Sequence, residues 1–257
     1  MIYYPGGQCH RFSSAGLCES LASFGYVVIA IDAPRDAPML AFPDGRLVIG
    51  PMGDDEDYIW PRIADVRFLL DQLPLLNAKG LLAGQLDIES VAMFGSSRGG
   101  YLSNIMAVAD ERIKSAVNFA GFLWGLWVKE GTGLGEYPLE WQNLARNSPT
   151  PVMRLQSEQP SPAATRDKFL LESHDFGGEF IYASIQGLKH GGFAPTPWLC
   201  GSVEKCLNLE KAPGFEHYGI LLELLSGFFG QHLRKEGSRW LDALSNRPEL
   251  HVHSVRI

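Results

Sequence analysis

The 257-residue chain is poor in cysteine, has no long uncharged apolar run and carries no excess of positive charge. Four cysteines (Cys9, Cys18, Cys200, Cys206) are too few to staple a chain of this length. No pair of them has zinc-ribbon spacing, so free thiols in a reducing compartment are expected. No stretch approaches the length of a membrane-spanning helix, so no span is expected. Lys and Arg number 22 against 29 Asp and Glu, a net charge of −7. That balance favours neither a nucleic-acid partner nor an anionic membrane surface. Residues 1–7 lack the charged start and apolar core of a secretory signal, which points to the cytoplasm. No repeat, low-complexity tract or linker divides the chain, so one domain over 1–257 is expected.

What is present reads as alternating strands and helices. Short apolar runs at Ile2–Tyr4, Tyr26–Ile31, Val91–Phe94, Ile113–Phe119, Pro151–Leu155 and Phe180–Ile185 predict strands. The continuous run Tyr26–Ile31 is the kind buried on both faces of a parallel sheet. Helical spacing predicts helices over Ser13–Phe24, Tyr58–Leu76, Tyr101–Ala109, Ala163–Glu172 and Tyr218–Leu233. Asp32–Asp57 reads as a long loop, and the residues after Pro248 as a tail. The alternation implies a parallel sheet covered by helices on both sides.

The central signal is Gly95-Ser-Ser-Arg-Gly99, which fits G-x-S-x-G with Ser97 in the nucleophile slot. A strand precedes it and a helix follows, the context in which a serine sits on a sharp elbow. Small neighbours let strand and helix pack closely while the hydroxyl projects. The alternative is a plain Gly-Ser loop. A nucleophilic serine needs a base, a group to orient that base, and donors for an oxyanion. His190, in Gly187-Leu-Lys-His-Gly-Gly-Phe193, follows a late strand and comes after Ser97 in chain order. It is the best placed of the seven histidines to act as base. The backbone N–H of Arg98 is one oxyanion donor. Gly7 or Gln8, in the loop after the first strand, is the candidate for the other.

With these residues in place the chain resembles α/β-hydrolases of the platelet-activating factor acetylhydrolase type, in their microbial and fungal branch. The likeness runs through Leu21–Val28 with Asp32, Asp36-Ala-Pro38, Phe42-Pro-Asp-Gly45, Arg62–Asp71 and the elbow. It continues to the last helix with Phe228, Phe229, Leu233 and Leu241, and to Pro248-Glu249. The resemblance implies an α/β-hydrolase fold lacking its initial strands. It implies hydrolysis of a carboxylic ester on a lipid-like alcohol, with no metal and no organic cofactor.

The chain departs from this family at three positions. Ser96 stands where the elbow usually has histidine, and Pro195 replaces an aspartate often found after the catalytic histidine. Ala120, in Asn118-Phe-Ala-Gly121, occupies the slot of the triad acid. Loss of a positioned carboxylate lowers turnover by roughly 10⁴-fold. Three explanations stand open. Glu158, after the strand ending at Leu155, is a displaced acid in the order serine, acid, histidine. Alternatively, Asn118 or a water orients His190. In the third, ester hydrolysis has been abandoned for lyase, cyclase or isomerase chemistry through His190, or for binding alone.

Other features are weaker. Asp54–Asp57 reads as a solvated helix start, and no histidine accompanies it to suggest a metal. Arg98 either binds a substrate carboxylate or pairs with a nearby acid. Phe122, Trp124 and Trp127, together with Trp198, suggest an aromatic pocket wall, with 122–147 as a lid or insertion. The expectation is therefore a serine esterase acting on a small apolar or aromatic ester. Ser97 is its nucleophile, His190 its base and Glu158 its provisional acid. Oligomeric state is not legible.

Overall fold

In the computed structural model, residues 1–32, 34, 37–50, 59–121, 144–157, 177–188, 190–193, 215–237 and 239–256 are described. A seven-stranded sheet forms the centre. Its strands are β1 (Ile2–Tyr4), β2 (Ile29–Ala30), β5 (Val91–Ser96), β6 (Ile113–Phe119), β7 (Val152–Gln156), β8 (Phe180–Ile185) and β9 (Leu250–Arg256). Their order across the sheet is β2-β1-β5-β6-β7-β8-β9. Every pairing is parallel except β8 with β9, which is antiparallel.

Alternation along each strand builds two apolar layers, because successive side chains leave a strand on opposite faces. On one face Ile2, Tyr4, Val91 and Met93 meet α2 (Ile59–Ala78) and α3 (Arg98–Ala109) through Ile63, Val66, Leu70, Leu102 and Ile105. On the other, Tyr3, Ala92, Phe94, Val117 and Phe119 meet α1 (Ala15–Ser23), α4 (Phe215–Arg234) and α5 (Trp240–Leu244). Leu17, Leu21, Leu224, Phe228 and Phe229 carry that second layer. In α2 the predicted helical stripe is the buried one: Ile63, Val66, Leu70 and Leu73 all face the core. This is the mostly parallel sheet with helices on both faces expected from the alternation of elements.

Three local expectations are corrected. The run 26–31 is not a strand buried on both faces. Only Ile29–Ala30 pairs, half-buried, because β2 lies at the sheet edge and touches β1 alone. The stretch 32–57 is not all loop: β3 (Met39–Ala41) and β4 (Leu47–Ile49) form an antiparallel hairpin. The turn Phe42–Gly45 closes it, with Gly45 at φ 84°. The residues after Pro248 are not a tail, since β9 completes the sheet against β8. The predicted helix Ala163–Glu172 lies outside the described residues. Among the described residues no helix is long and apolar enough to cross a membrane.

Candidate active site

Because β5, β6, β7 and β8 all run in one direction, Ser97 and the turn bearing His190 leave the sheet at the same, C-terminal, edge. Ligands in open α/β sheets gather at this edge. Ser97 stands between β5 and α3 with φ 53° and ψ −115°. Such a conformation costs a non-glycine residue on the order of 1–3 kcal/mol and persists only where its surroundings enforce it. Two backbone bonds do so here. The Ser97 N–H donates to the Phe119 carbonyl at 2.8 Å, and the Ser97 carbonyl accepts from the Tyr101 N–H at 3.0 Å. Gly99 lies so close to the Tyr4 carbonyl that a Cβ there would collide with backbone. A glycine two residues after the nucleophile therefore allows α3 to start directly against β1.

The loop after β1 lies beside the elbow. A Cβ on Gly6 would sit 3.4 Å from the Ser97 Cβ, and one on Gly7 would come within 2.7–2.9 Å of the Arg98 side chain. Gln8, exposed, has φ 60°, and the Cys9 N–H closes the turn onto the Gly6 carbonyl at 3.2 Å. The sequence-derived donors Arg98, Gly7 and Gln8 are thus neighbours, with Arg98 at the positive end of the α3 dipole. Among the described residues four non-glycine residues have positive φ, and three of them, Gln8, Ser97 and Ala120, belong to this region. Strain is concentrated where function is expected.

His190 opens a 3₁₀ turn, His190–Phe193, just after β8. The residue reaches solvent, while burial against the protein holds its imidazole pKa below the ordinary 6.5. The neutral form, which can accept a proton, is thereby favoured. The turn is anchored by Phe193, fully buried, whose ring stacks on Phe119 with centroids 5.2 Å apart and planes at 12°. Phe119 is the residue whose carbonyl holds Ser97. Nothing in the sequence marks Phe119 and Phe193 as partners, since each reads only as an apolar residue.

Ala120 has φ 50°, and its N–H donates to the Leu155 carbonyl at 2.8 Å, locking the end of β6 to β7. Its methyl joins the apolar layer on the α4 side of the sheet. Asn118 is fully buried, and its Oδ1 accepts the Gly121 N–H at 2.7 Å. Its acceptor oxygen thus serves the turn that carries Ala120. Glu158, Phe122, Trp124, Trp127 and Trp198 lie outside the described residues, as does Asp54–Asp57. Among the described residues no group of three or more His, Cys, Asp or Glu side chains is arranged to hold a metal ion.

No protein-family model matches the chain. A probable 1-alkyl-2-acetylglycerophosphocholine esterase of the fungus Arthroderma benhamiae is 27% identical over 161 residues. That match takes in 57% of this chain but only 38% of the relative's length. A ferulic acid esterase from Streptomyces cinnamoneus superposes with a TM-score of 0.75, covering 98% of this chain and 73% of that one, at 22% identity. The chain thus has an α/β-hydrolase fold and resembles an acetylhydrolase-type esterase in sequence.

Proposed function

We propose that the chain hydrolyses carboxylic esters of small apolar or aromatic alcohols or acids through an acyl-enzyme on Ser97. The observation that carries this reading is the elbow: a serine at φ 53° between a parallel strand and a helix, flanked by the glycine loop after β1. That geometry holds a hydroxyl clear of the backbone, next to N–H groups with no helical partner. The likeness to an acetylglycerophosphocholine esterase supports the same class of reaction.

In this mechanism His190 takes the Ser97 proton as Oγ attacks the ester carbonyl. Negative charge on the carbonyl oxygen is met by the Arg98 N–H at the start of α3 and by an N–H of Gly7 or Gln8. Collapse expels the alcohol, which receives the proton from His190. Water, deprotonated by His190, then releases the acid. Removing one oxyanion donor from such a site costs roughly 10²–10³ in turnover. Glu158 is the proposed acid, supported by its place in the chain after β7 and before His190. Phe122, Trp124, Trp127 and Trp198 are the proposed apolar wall.

The test is turnover of p-nitrophenyl acetate and butyrate by the wild type and by Ser97→Ala, His190→Ala and Glu158→Gln. Wild-type turnover lost in the first two variants supports the acyl-enzyme route. A loss of about 10²-fold or more in Glu158→Gln supports Glu158 as the acid. Wild-type turnover no better than that of Ser97→Ala removes the esterase reading. A serine-directed phosphonate that labels the wild type but not Ser97→Ala locates the nucleophile independently of substrate choice.

A further inference from the structure

The His190 turn and the Ser97 elbow lie far apart in sequence, and an apolar stack alone leaves their separation adjustable. A buried polar connection also runs from the strand beside the elbow to the His190 turn. The Tyr3 hydroxyl, on β1, donates to Ser14 Oγ at 2.8 Å. Ser14 Oγ in turn donates to the carbonyl of Phe193 at 3.4 Å, the last residue of the His190 turn. Tyr3 lies on β1 directly beside Phe94 of β5, the strand that ends in the elbow. Tyr3 and Ser14 are both fully buried. A buried hydroxyl is costly unless bonded, so each member holds the next in place. The Tyr3 ring is itself fixed against Phe94 of the neighbouring strand, with centroids 5.3 Å apart.

We propose that Tyr3 is a positioning residue whose hydroxyl, through Ser14 and Phe193, ties the His190 turn to β1, the strand beside the nucleophile strand, and so sets the distance between the elbow and that turn. The proposal deepens the esterase reading and rests on it for its catalytic consequence. A proton-transfer pair tolerates little displacement, since reacting atoms must be held near contact distance. Loss of the Tyr3 oxygen would take away the donor that orients Ser14 Oγ towards the Phe193 carbonyl, and so loosen the turn that carries the base. It would leave the ring, the sheet and the Ser97 backbone bonds intact.

Tyr3→Phe removes only the oxygen, and Ser14→Ala cuts the same relay at its second link. Ser148→Ala, which removes a comparable side-chain bond to the Ala107 carbonyl, is the control. Two readouts are taken on the full chain. The first is amide hydrogen exchange. Tyr3→Phe and Ser14→Ala are each expected to speed exchange at Gly191–Phe193 at least tenfold relative to the amides of α2, with Ser148→Ala leaving that ratio unchanged. The second is ester turnover. For both relay variants kcat is expected to fall about tenfold with KM within about twofold, and the acidic midpoint of the pH profile to move. The double variant is expected to be no worse than either single one, because both cut one chain of bonds. Exchange that is unchanged, or that rises equally throughout the protein, overturns the proposal, as does strict additivity of the two variants. If the wild type turns over no ester, hydrogen exchange still decides the positioning role while the esterase reading falls.

Discussion

The Ser97 N–H donates to the carbonyl of Phe119 at 2.8 Å, across the gap between the ends of two neighbouring parallel strands. The Phe119 ring in turn stacks on Phe193 beneath the His190 turn. One residue therefore supports both halves of the proposed catalytic pair, its backbone holding the nucleophile and its side chain the base. Phe119→Ala should lower stability by about 3–5 kcal/mol through the cavity it leaves in the layer under α4. Urea unfolding measures that loss. Ester turnover per folded molecule should drop as well, because the turn loses its platform. A variant as active per folded molecule as the wild type would show that the stack supports stability alone.

The close approach of α3 to β1 makes Gly99 sensitive. Gly99→Ala places a methyl against the Tyr4 carbonyl, where neither backbone can move without opening the elbow. The expected result is an insoluble chain, or a folded one with turnover down at least 10²-fold. Expression and titration with the serine-directed phosphonate check it. A soluble variant labelled at the wild-type rate would refute the packing argument.

His190 should govern the acidic limb of the pH profile. It acts as base only when neutral, so kcat/KM should fall as pH drops through its pKa. Burial lowers that pKa, so the midpoint should lie below the ordinary 6.5. The measurement is kcat/KM between pH 4.5 and 8, with stability checked at each point. A midpoint above 6.5 would mean that the imidazolium is favoured by a facing carboxylate whose effect exceeds that of burial.

Away from the site, His232 on α4 packs edge-on to Phe228 with centroids 4.6 Å apart, and its Nε2 lies 3.4 Å from Glu179 Oε2. Burial lowers its pKa from 6.5 to about 4 and raises that of Glu179. Since the folded pKa of His232 is depressed, its contribution is fully present above pH 6.5 and is lost as pH falls from 6.5 towards 4. A shift of that size corresponds to roughly 3 kcal/mol at its limit. The raised Glu179 pKa works in the opposite direction and offsets part of it. Thermal unfolding between pH 7.5 and 4 should show a shallower decline in His232→Gln than in the wild type. Equal slopes would remove His232 as the source.

Much of the fold was legible because its signals are local. The run Val91–Phe94 followed by Gly-Ser-Ser-Arg-Gly specifies strand, elbow and helix within about twenty residues, and the structure has them there. The stripe Ile63, Val66, Leu70, Leu73 is buried along α2 as its spacing requires. Two elements carry local signals that run against the loop and the tail expected there. Phe42-Pro-Asp-Gly45 is a turn of the kind that closes hairpins, and β3 and β4 flank it. Leu250-His-Val-His alternates as an edge strand should: Leu250 is buried, His251 and His253 are exposed, and β9 pairs on one side only. The short extent of β2 had no local signal, because Tyr26–Ile31 is apolar throughout and only its place at the sheet edge limits its pairing.

The sequence by itself determined the alternation of strands and helices, the candidate nucleophile and base, and the oxyanion loop, since each is carried by residues adjacent in the chain. Tertiary structure alone decided how they are joined. Phe119 and Phe193 are two phenylalanines among 14, and Tyr3 and Ser14 are an ordinary tyrosine and serine, until the sheet brings β1, β6 and the His190 turn together. The reason is physical. Periodicity and turn chemistry act over a few residues and leave a mark in the chain. A ring stack such as that of Phe119 on Phe193, or a buried hydroxyl bond such as that of Ser14 to the Phe193 carbonyl, draws its energy from desolvation and close packing, which exist only once the core has closed.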